Sequence, residues 1–228
     1  MTDDLTVVYY TCNQAPEKFL KKNRDLIEQT NLPIISVSHK PIDFGLNICV
    51  GDIGRSHLNI YRQALIGAKE AHTKYIAMAE DDVLYSNDHF SYTPTDDCFA
   101  YDMNMWTFYE FYRPRVFSYK ERVNMNGLIC QRDLFVEAME ERFAAWPDDS
   151  VTPIRNWAEP GKDAYEHNLR VTKRNKETYY AKTPSVAFYH PAALSYLHLG
   201  RRKKIGEKQV DVLEPWGSAK EMLSYYYK

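Results

Sequence analysis

The sequence predicts an α/β protein with a mostly parallel central sheet and crossover helices. Three observations carry this expectation. Strand-like and helix-like segments alternate over the first 80 residues, the strand-like runs are short and apolar enough to be covered on both faces, and a cluster of acids follows immediately where the third run ends. A chain of 228 residues can bury one full core, and no internal repeat, low-complexity tract or linker divides it, so a single domain over 1–228 is expected.

Leu5–Tyr10 (LTVVYY) is β-branched and aromatic and reads as a buried strand. Glu17–Gln29 follows with Phe19, Leu20, Leu26 and Ile27 on one helical face. Pro33 opens a second strand, Ile34–Ser38. A loop through Gly45, Gly51 and Gly54 then leads to a helix in which Leu58, Tyr61, Leu65 and Ala68 recur at spacings of three and four. Lys74–Ala79 (KYIAMA) is the third strand. The second half is less regular: Asn104–Arg122 is rich in aromatics, Leu134–Trp146 repeats Phe135, Met139, Phe143 and Trp146 at helical spacing, and Asp163–Val171 suits a short helix. Gly127–Cys130 and Ser185–Tyr189 are further strands, which makes the sheet mixed, and the C-terminal segment is expected to return to the site.

Charge and cysteine usage narrow the class. The 29 basic and 31 acidic residues nearly cancel, but Tyr75–Tyr112 holds eight acids and no Lys or Arg, whereas His167–Val210 holds ten bases and two acids. One segment suits a cation and the other a polyanion; alternatively, the two neutralise each other across the fold. No apolar run is long enough to cross a bilayer, so no membrane partner is expected. The first residues carry acids where a secretory signal needs Lys or Arg. The four cysteines are scattered without a CxxC pair. Reduced thiols and a cytoplasmic location, the host cytoplasm for a phage-encoded chain, are the expectation.

The most informative stretch is KYIAMAEDDVLY, Lys74–Tyr85. Glu80, Asp81 and Asp82 stand where a buried strand ends, on the edge where parallel sheets present ligand sites. Adjacent carboxylates repel one another unless a cation or donors face them, and carboxylate oxygens suit Mg²⁺ or Mn²⁺ bridging the phosphates of a nucleotide. The other reading is a solvated turn.

Acid-x-Asp after an apolar strand resembles the signature of the GT-A (Rossmann-like) nucleotide-sugar glycosyltransferases. The wider neighbourhood, EDDVLYSNDHFSYTP followed by YDMNMW, resembles the base J glucosyltransferase-like family, whose founding activity glucosylates 5-hydroxymethyluracil in DNA. GRSHLNIYRQALIGAKEAHTKYIAMAEDD is similar to that family's helix leading into the acidic strand, and LHLGRRKK with EPWG is similar to its C-terminal histidine segment. Asp81 stands in place of that family's histidine. The resemblance covers Gly54–Trp106 and, more loosely, Trp157–Trp216.

The resemblance implies a metal-dependent transferase using a UDP-sugar and Mn²⁺ or Mg²⁺, with about 1–110 as the nucleotide-sugar half and about 111–228 as the acceptor half. Asp82 would ligate the metal with His198, His190 being the reserve, while Glu80 and Asp81 contact the nucleotide. Arg55 offers a planar fork of donors to a phosphate or uracil carbonyl. Thr11 and Asn13 lie where a base would be read, or serve as ordinary loop caps. Inverting transfer needs a carboxylate base, and WAEPGKDAYE supplies Glu159, Asp163 and Glu166, with Glu159 leading and Asp163 equally suited to a helix N-cap.

The acceptor implied is a 5-hydroxymethylpyrimidine, uracil or cytosine, in phage or bacterial DNA. Phosphate-neutralising candidates are Lys173, Arg174 and Lys176, then Arg202, Lys203 and Lys204, with Arg201 assigned to the donor diphosphate. The rivals are a glycosyltransferase acting on a polysaccharide or protein, and a catalytically idle nucleic-acid-binding module. No protein partner is implied.

Overall fold

The structure, a computed structural model, describes residues 4–147, 159–194, 196 and 205–227. The first half alternates as β1 (Leu5–Thr11), α1 (Glu17–Glu28), β2 (Ile34–Ser38), β3 (Leu46–Cys49), α2 (His57–Glu70) and β4 (Tyr75–Glu80). Next come β5 (Val83–Leu84), a 3₁₀ turn at Asn87–Ser91, β6 (Cys98–Asp102), β7 (Met105–Tyr109), β8 (Phe117–Tyr119) and β9 (Leu128–Gln131). The remainder is α3 (Arg132–Ala145), α4 (Asp163–Leu169), β10 (Asn175–Tyr179), β11 (Ser185–Tyr189), β12 (Lys208–Val210), β13 (Val212–Leu213), β14 (Gly217–Ser218) and α5 (Ala219–Tyr227). No described helix is long and apolar enough to cross a membrane.

The expected α/β architecture is present. Seven strands form the main sheet in the order β10-β6-β9-β4-β1-β2-β3. All run parallel except β9, which is antiparallel to both its neighbours. A second sheet, β12-β8-β7-β11-β5, begins with the two residues that follow the acidic turn.

Side-chain alternation explains the layers. On one face of the main sheet, Val8, Tyr10, Ile76, Met78, Phe99 and Tyr101 pack against Leu58, Tyr61 and Ala64 of α2 and Phe135 and Met139 of α3. On the other face, Val7, Tyr9, Ala77, Ala79 and Ala100 meet Ile27 of α1 together with Phe44 and Tyr85. The two crossover helices therefore lie on opposite faces, and β1 has β2 on one side and β4 on the other. That reversal is the topological switch point, where a crevice opens beyond the carboxyl ends of the strands.

Two expectations change. Leu46–Cys49, placed within a glycine loop by the sequence, is edge strand β3, since its short polar-apolar run pairs with β2. Asn175–Tyr179 extends the main sheet, so the basic run Lys173–Lys176 leads into edge strand β10. The part of the C-terminal segment expected to return to the site, around His198–Lys204, lies outside the described residues; beyond it, β12 pairs with β8, and Ala219 and Met222 of α5 join Phe19 of α1 in a third apolar cluster.

Gly67 sets the distance between α2 and the sheet. A Cβ there would stand 2.6 Å from Val8 Cγ1 and 3.3 Å from Val37 Cγ2. Gly67→Val should therefore lower stability by about 1–3 kcal/mol in urea titration, because the added methyls must push α2 off β1 and β2.

Candidate active site

A cavity of about 320 Å³ occupies the switch point. Its walls include Tyr10, Thr11 and Cys12 at the end of β1, His39 after β2, Arg55 before α2, Glu80–Asp82 at the end of β4, and Glu159, Tyr189 and His190 from the second half. This is the size range of small-molecule sites.

The acidic turn is clasped by donors from distant segments. Tyr10 donates its hydroxyl to Glu80 Oε1 at 3.0 Å, and Asn126 Nδ2 donates to Glu80 Oε2 at 3.2 Å. Thr11 donates a close hydrogen bond to Asp81. The fully buried Asn23 donates to the Glu80 carbonyl at 3.2 Å and closely to that of Val83. Tyr85 accepts from the Glu80 amide at 2.9 Å, and the Phe188 amide donates to the Asp82 carbonyl at 2.8 Å. Both carboxylate oxygens of Glu80 are thus turned into the wall, while Asp82 stands furthest along the turn, beside β11.

Burial in this wall, reinforced by the charges of Asp81 and Glu159, raises the Glu80 carboxyl to about 7 against the opposing pull of its hydrogen bonds from Tyr10 and Asn126. Asp81 is likewise raised by burial, with Thr11, Arg24 and Arg55 opposing. His190, whose Nε2 lies 3.8 Å from Asp82 Oδ2, is lowered to about 4 by burial and then by Arg55, so its imidazole is neutral at physiological pH.

Arg55 donates a close hydrogen bond to the Ala192 carbonyl, which anchors the guanidinium between the Cys12, Asp81 and His190 walls. The loop that carries it is fixed by Ser56, which accepts the Asn59 amide at 3.1 Å as the N-cap of α2, and by Asn59 Nδ2 on the Gly54 carbonyl at 3.1 Å. Gln63 of α2 bridges the carbonyls of Thr11 and Val37, each at 3.0 Å, and holds the ends of β1 and β2 together.

Glu159 also lines the cavity and is closely paired with Lys162. Its segment is pinned by the Tyr101 hydroxyl on the Pro160 carbonyl at 2.8 Å. Gly161, at φ 79°, passes so near β10 that a Cβ would meet Lys176 Cβ at 2.7 Å. Glu166 is fully buried and used structurally: it accepts the amides of Gly161 at 2.7 Å and Arg174 at 2.9 Å and faces Arg142 at 3.6 Å.

The cavity brings together Thr11, Arg55, Glu80, Asp81, Asp82, Glu159 and His190. Asn13 is not on its walls; at φ 57° it braces its own loop, with Oδ1 accepting the Lys40 amide at 2.8 Å. Asp163 is exposed and paired with Lys173 at 2.6 Å, outside the cavity, and Arg174 is spent on Glu137 and Glu141 at 3.0 and 3.1 Å. Lys176 is exposed on β10. His198, Arg201, Arg202, Lys203 and Lys204 lie outside the described residues. Tyr10, Asn23, Asn126, His39 and Arg122 escaped sequence reasoning; only Tyr10, the polar-tipped residue one step before a strand end, left a signal there.

No protein-family model matches this sequence, and no curated protein matches it. Among solved structures, the chain is similar to a glycosyltransferase involved in glycosylation of the major capsid of PBCV-1, at 12% identity and a TM-score of 0.46, over 80% of this chain and 92% of that one. A nucleotidyl transferase from Methanothermobacter gives 10% identity and a TM-score of 0.46, over 79% and 88%. The apo glycosyltransferase GlyE of Streptococcus pneumoniae gives 8% and 0.46, over 78% of this chain and 45% of that one.

Glu166→Ala should cost about 1–3 kcal/mol in chemical denaturation, because it leaves the amides of Gly161 and Arg174 without their acceptor. Glu166→Gln, which keeps one acceptor, should recover part of that loss.

Proposed function

We propose that this protein is a metal-dependent glycosyltransferase that moves a sugar from a UDP-sugar to a hydroxyl acceptor with inversion, the acceptor being a 5-hydroxymethylpyrimidine in DNA. The observation that carries the reading is the placement of three consecutive carboxylates at the switch point, across one cavity from Arg55 and Glu159.

Among the described residues no group of three or more His, Cys, Asp or Glu side chains is placed to hold a metal ion. Asp82 with the neutral imidazole of His190 nonetheless fits a hard divalent cation that completes its shell with water and substrate phosphates, as Mg²⁺ commonly does with one or two carboxylates. Mn²⁺ or Mg²⁺ bound there would neutralise charge on the departing diphosphate.

The chain's own groups do the rest. Arg55 offers its guanidinium to the diphosphate from the donor side. Glu80, tied down at both oxygens, shapes the floor, and Asp81, held by Thr11, faces the nucleotide. Glu159 takes the proton of the acceptor hydroxyl as that oxygen attacks the anomeric carbon. The bond from that carbon to the diphosphate oxygen breaks with its electron pair going to the leaving UDP.

Asp82→Asn should abolish Mn²⁺-dependent UDP binding and turnover while leaving the urea midpoint nearly unchanged; wild-type turnover would remove Asp82 from the site. Glu159→Gln should keep UDP and Mn²⁺ affinity in calorimetry while slowing transfer by about 10²-fold or more. The acceptor is tested by offering UDP-glucose and other donors with DNA carrying 5-hydroxymethyluracil, 5-hydroxymethylcytosine or ordinary bases, read by nucleoside mass spectrometry. A sugar mass on the hydroxymethylated base alone is the expected result. Donor cleavage without a DNA product would move the acceptor to glycans or proteins.

A further inference from the structure

The cavity carries four carboxylates, Glu80, Asp81, Asp82 and Glu159, and its described walls include two Lys or Arg side chains, Arg55 and Arg122. The two arginines differ in every respect that matters. Arg55 is anchored to the Ala192 carbonyl, and its charge acts on Asp81, Cys12 and His190 on the donor side. Arg122 is exposed, and among the described residues its guanidinium has no hydrogen bond or ion pair. It stands in the segment between β8 and β9, and its charge acts on the Tyr109 phenol at the end of β7. Tyr109 packs on Tyr189, a wall residue, with ring centroids 5.2 Å apart. Arg122 therefore lies on the part of the wall next to β7 and β11.

A cation at that place answers a specific need. A neutral acceptor could approach Glu159 unaided, but a polyanion approaching four carboxylates is repelled unless a fixed cation meets it at the rim. Of the basic residues expected to serve a nucleic acid, Lys173 and Arg174 are engaged by Asp163, Glu137 and Glu141, and none of the described ones lines the cavity. We infer that Arg122 is an acceptor-specificity residue that binds a backbone phosphodiester next to the nucleotide being modified. The guanidinium fork suits two phosphate oxygens at once, which would set the acceptor hydroxyl toward Glu159. This inference rests on the nucleic-acid acceptor proposed above.

The test is fluorescence anisotropy of a labelled single-stranded oligonucleotide containing 5-hydroxymethyluracil, with Mn²⁺ and UDP present, over a series of salt concentrations. Arg122→Ala should weaken binding about 10-fold and reduce the slope of log affinity against log salt by about 0.7, the loss of one phosphate contact on a single strand. Arg122→Lys should keep the slope and recover part of the affinity. UDP affinity, measured by calorimetry, should stay within about twofold of wild type in both variants, which separates an acceptor contact from damage to the fold or the donor side. Unchanged oligonucleotide affinity and slope in Arg122→Ala would overturn the inference, as would an equal loss of UDP affinity. If the wild-type protein binds no oligonucleotide at about 50 mM salt, the inference falls with the nucleic-acid reading, whereas UDP cleavage in the same sample would leave sugar transfer standing.

Discussion

Three consecutive carboxylates in one tight turn are the constraint around which the rest of the structure is arranged. Left to themselves, Glu80, Asp81 and Asp82 would repel one another and seek water. The fold instead draws them to the ends of its central strands and surrounds them with donors from three separate segments: Tyr10 and Thr11 from β1, Asn23 from α1, and Asn126 from the turn before β9. Burial still raises Glu80 and Asp81, so these donors make up only in part for the water that the carboxyl groups lose. Such a turn is suited to an incoming positive charge.

The same turn is where the chain passes from one sheet to the other. Glu80 is the last residue of β4 in the main sheet, and Val83 opens β5, which pairs with β11 in the second. The amide of Phe188 on the Asp82 carbonyl ties the two sheets together at that step. One consequence is that β11 delivers Tyr189 and His190 to the wall of the same cavity that β1 and β4 line, so both sheets contribute to it.

Charge along the chain and charge in space are different quantities. The acidic segment Tyr75–Tyr112 and the basic segment His167–Val210 suggested a cation site and a polyanion site. The first expectation has a physical counterpart in the clasped turn. In the second, Lys173 and Arg174 are met by acids on α3 and α4, local pairing that a linear count cannot see. The described Lys or Arg residues that line the cavity, Arg55 and Arg122, belong to neither segment.

Much of the architecture was legible in the sequence because it depends on local periodicity. LTVVYY, IISVS and KYIAMA are runs that only a doubly covered strand accommodates, and the i, i+3, i+4 spacing of Leu58, Tyr61, Leu65 and Ala68 dictates the face that α2 buries. The acidic triplet at a strand end pointed to the crevice that opens beyond the carboxyl ends of the parallel strands, and all three of its residues line the cavity there. Long-range pairing decided the remainder. Asn126 meets Glu80 across 46 positions and Arg55 meets Ala192 across 137, separations over which the sequence carries no spacing rule. The same holds for the choice among Glu159, Asp163 and Glu166. All three lie within eight residues and look alike in sequence, yet the backbone turns one toward the cavity, one toward solvent and Lys173, and one into the core under two amides and Arg142. Local pattern determines which side chains can be buried; only the packed fold determines what each meets there.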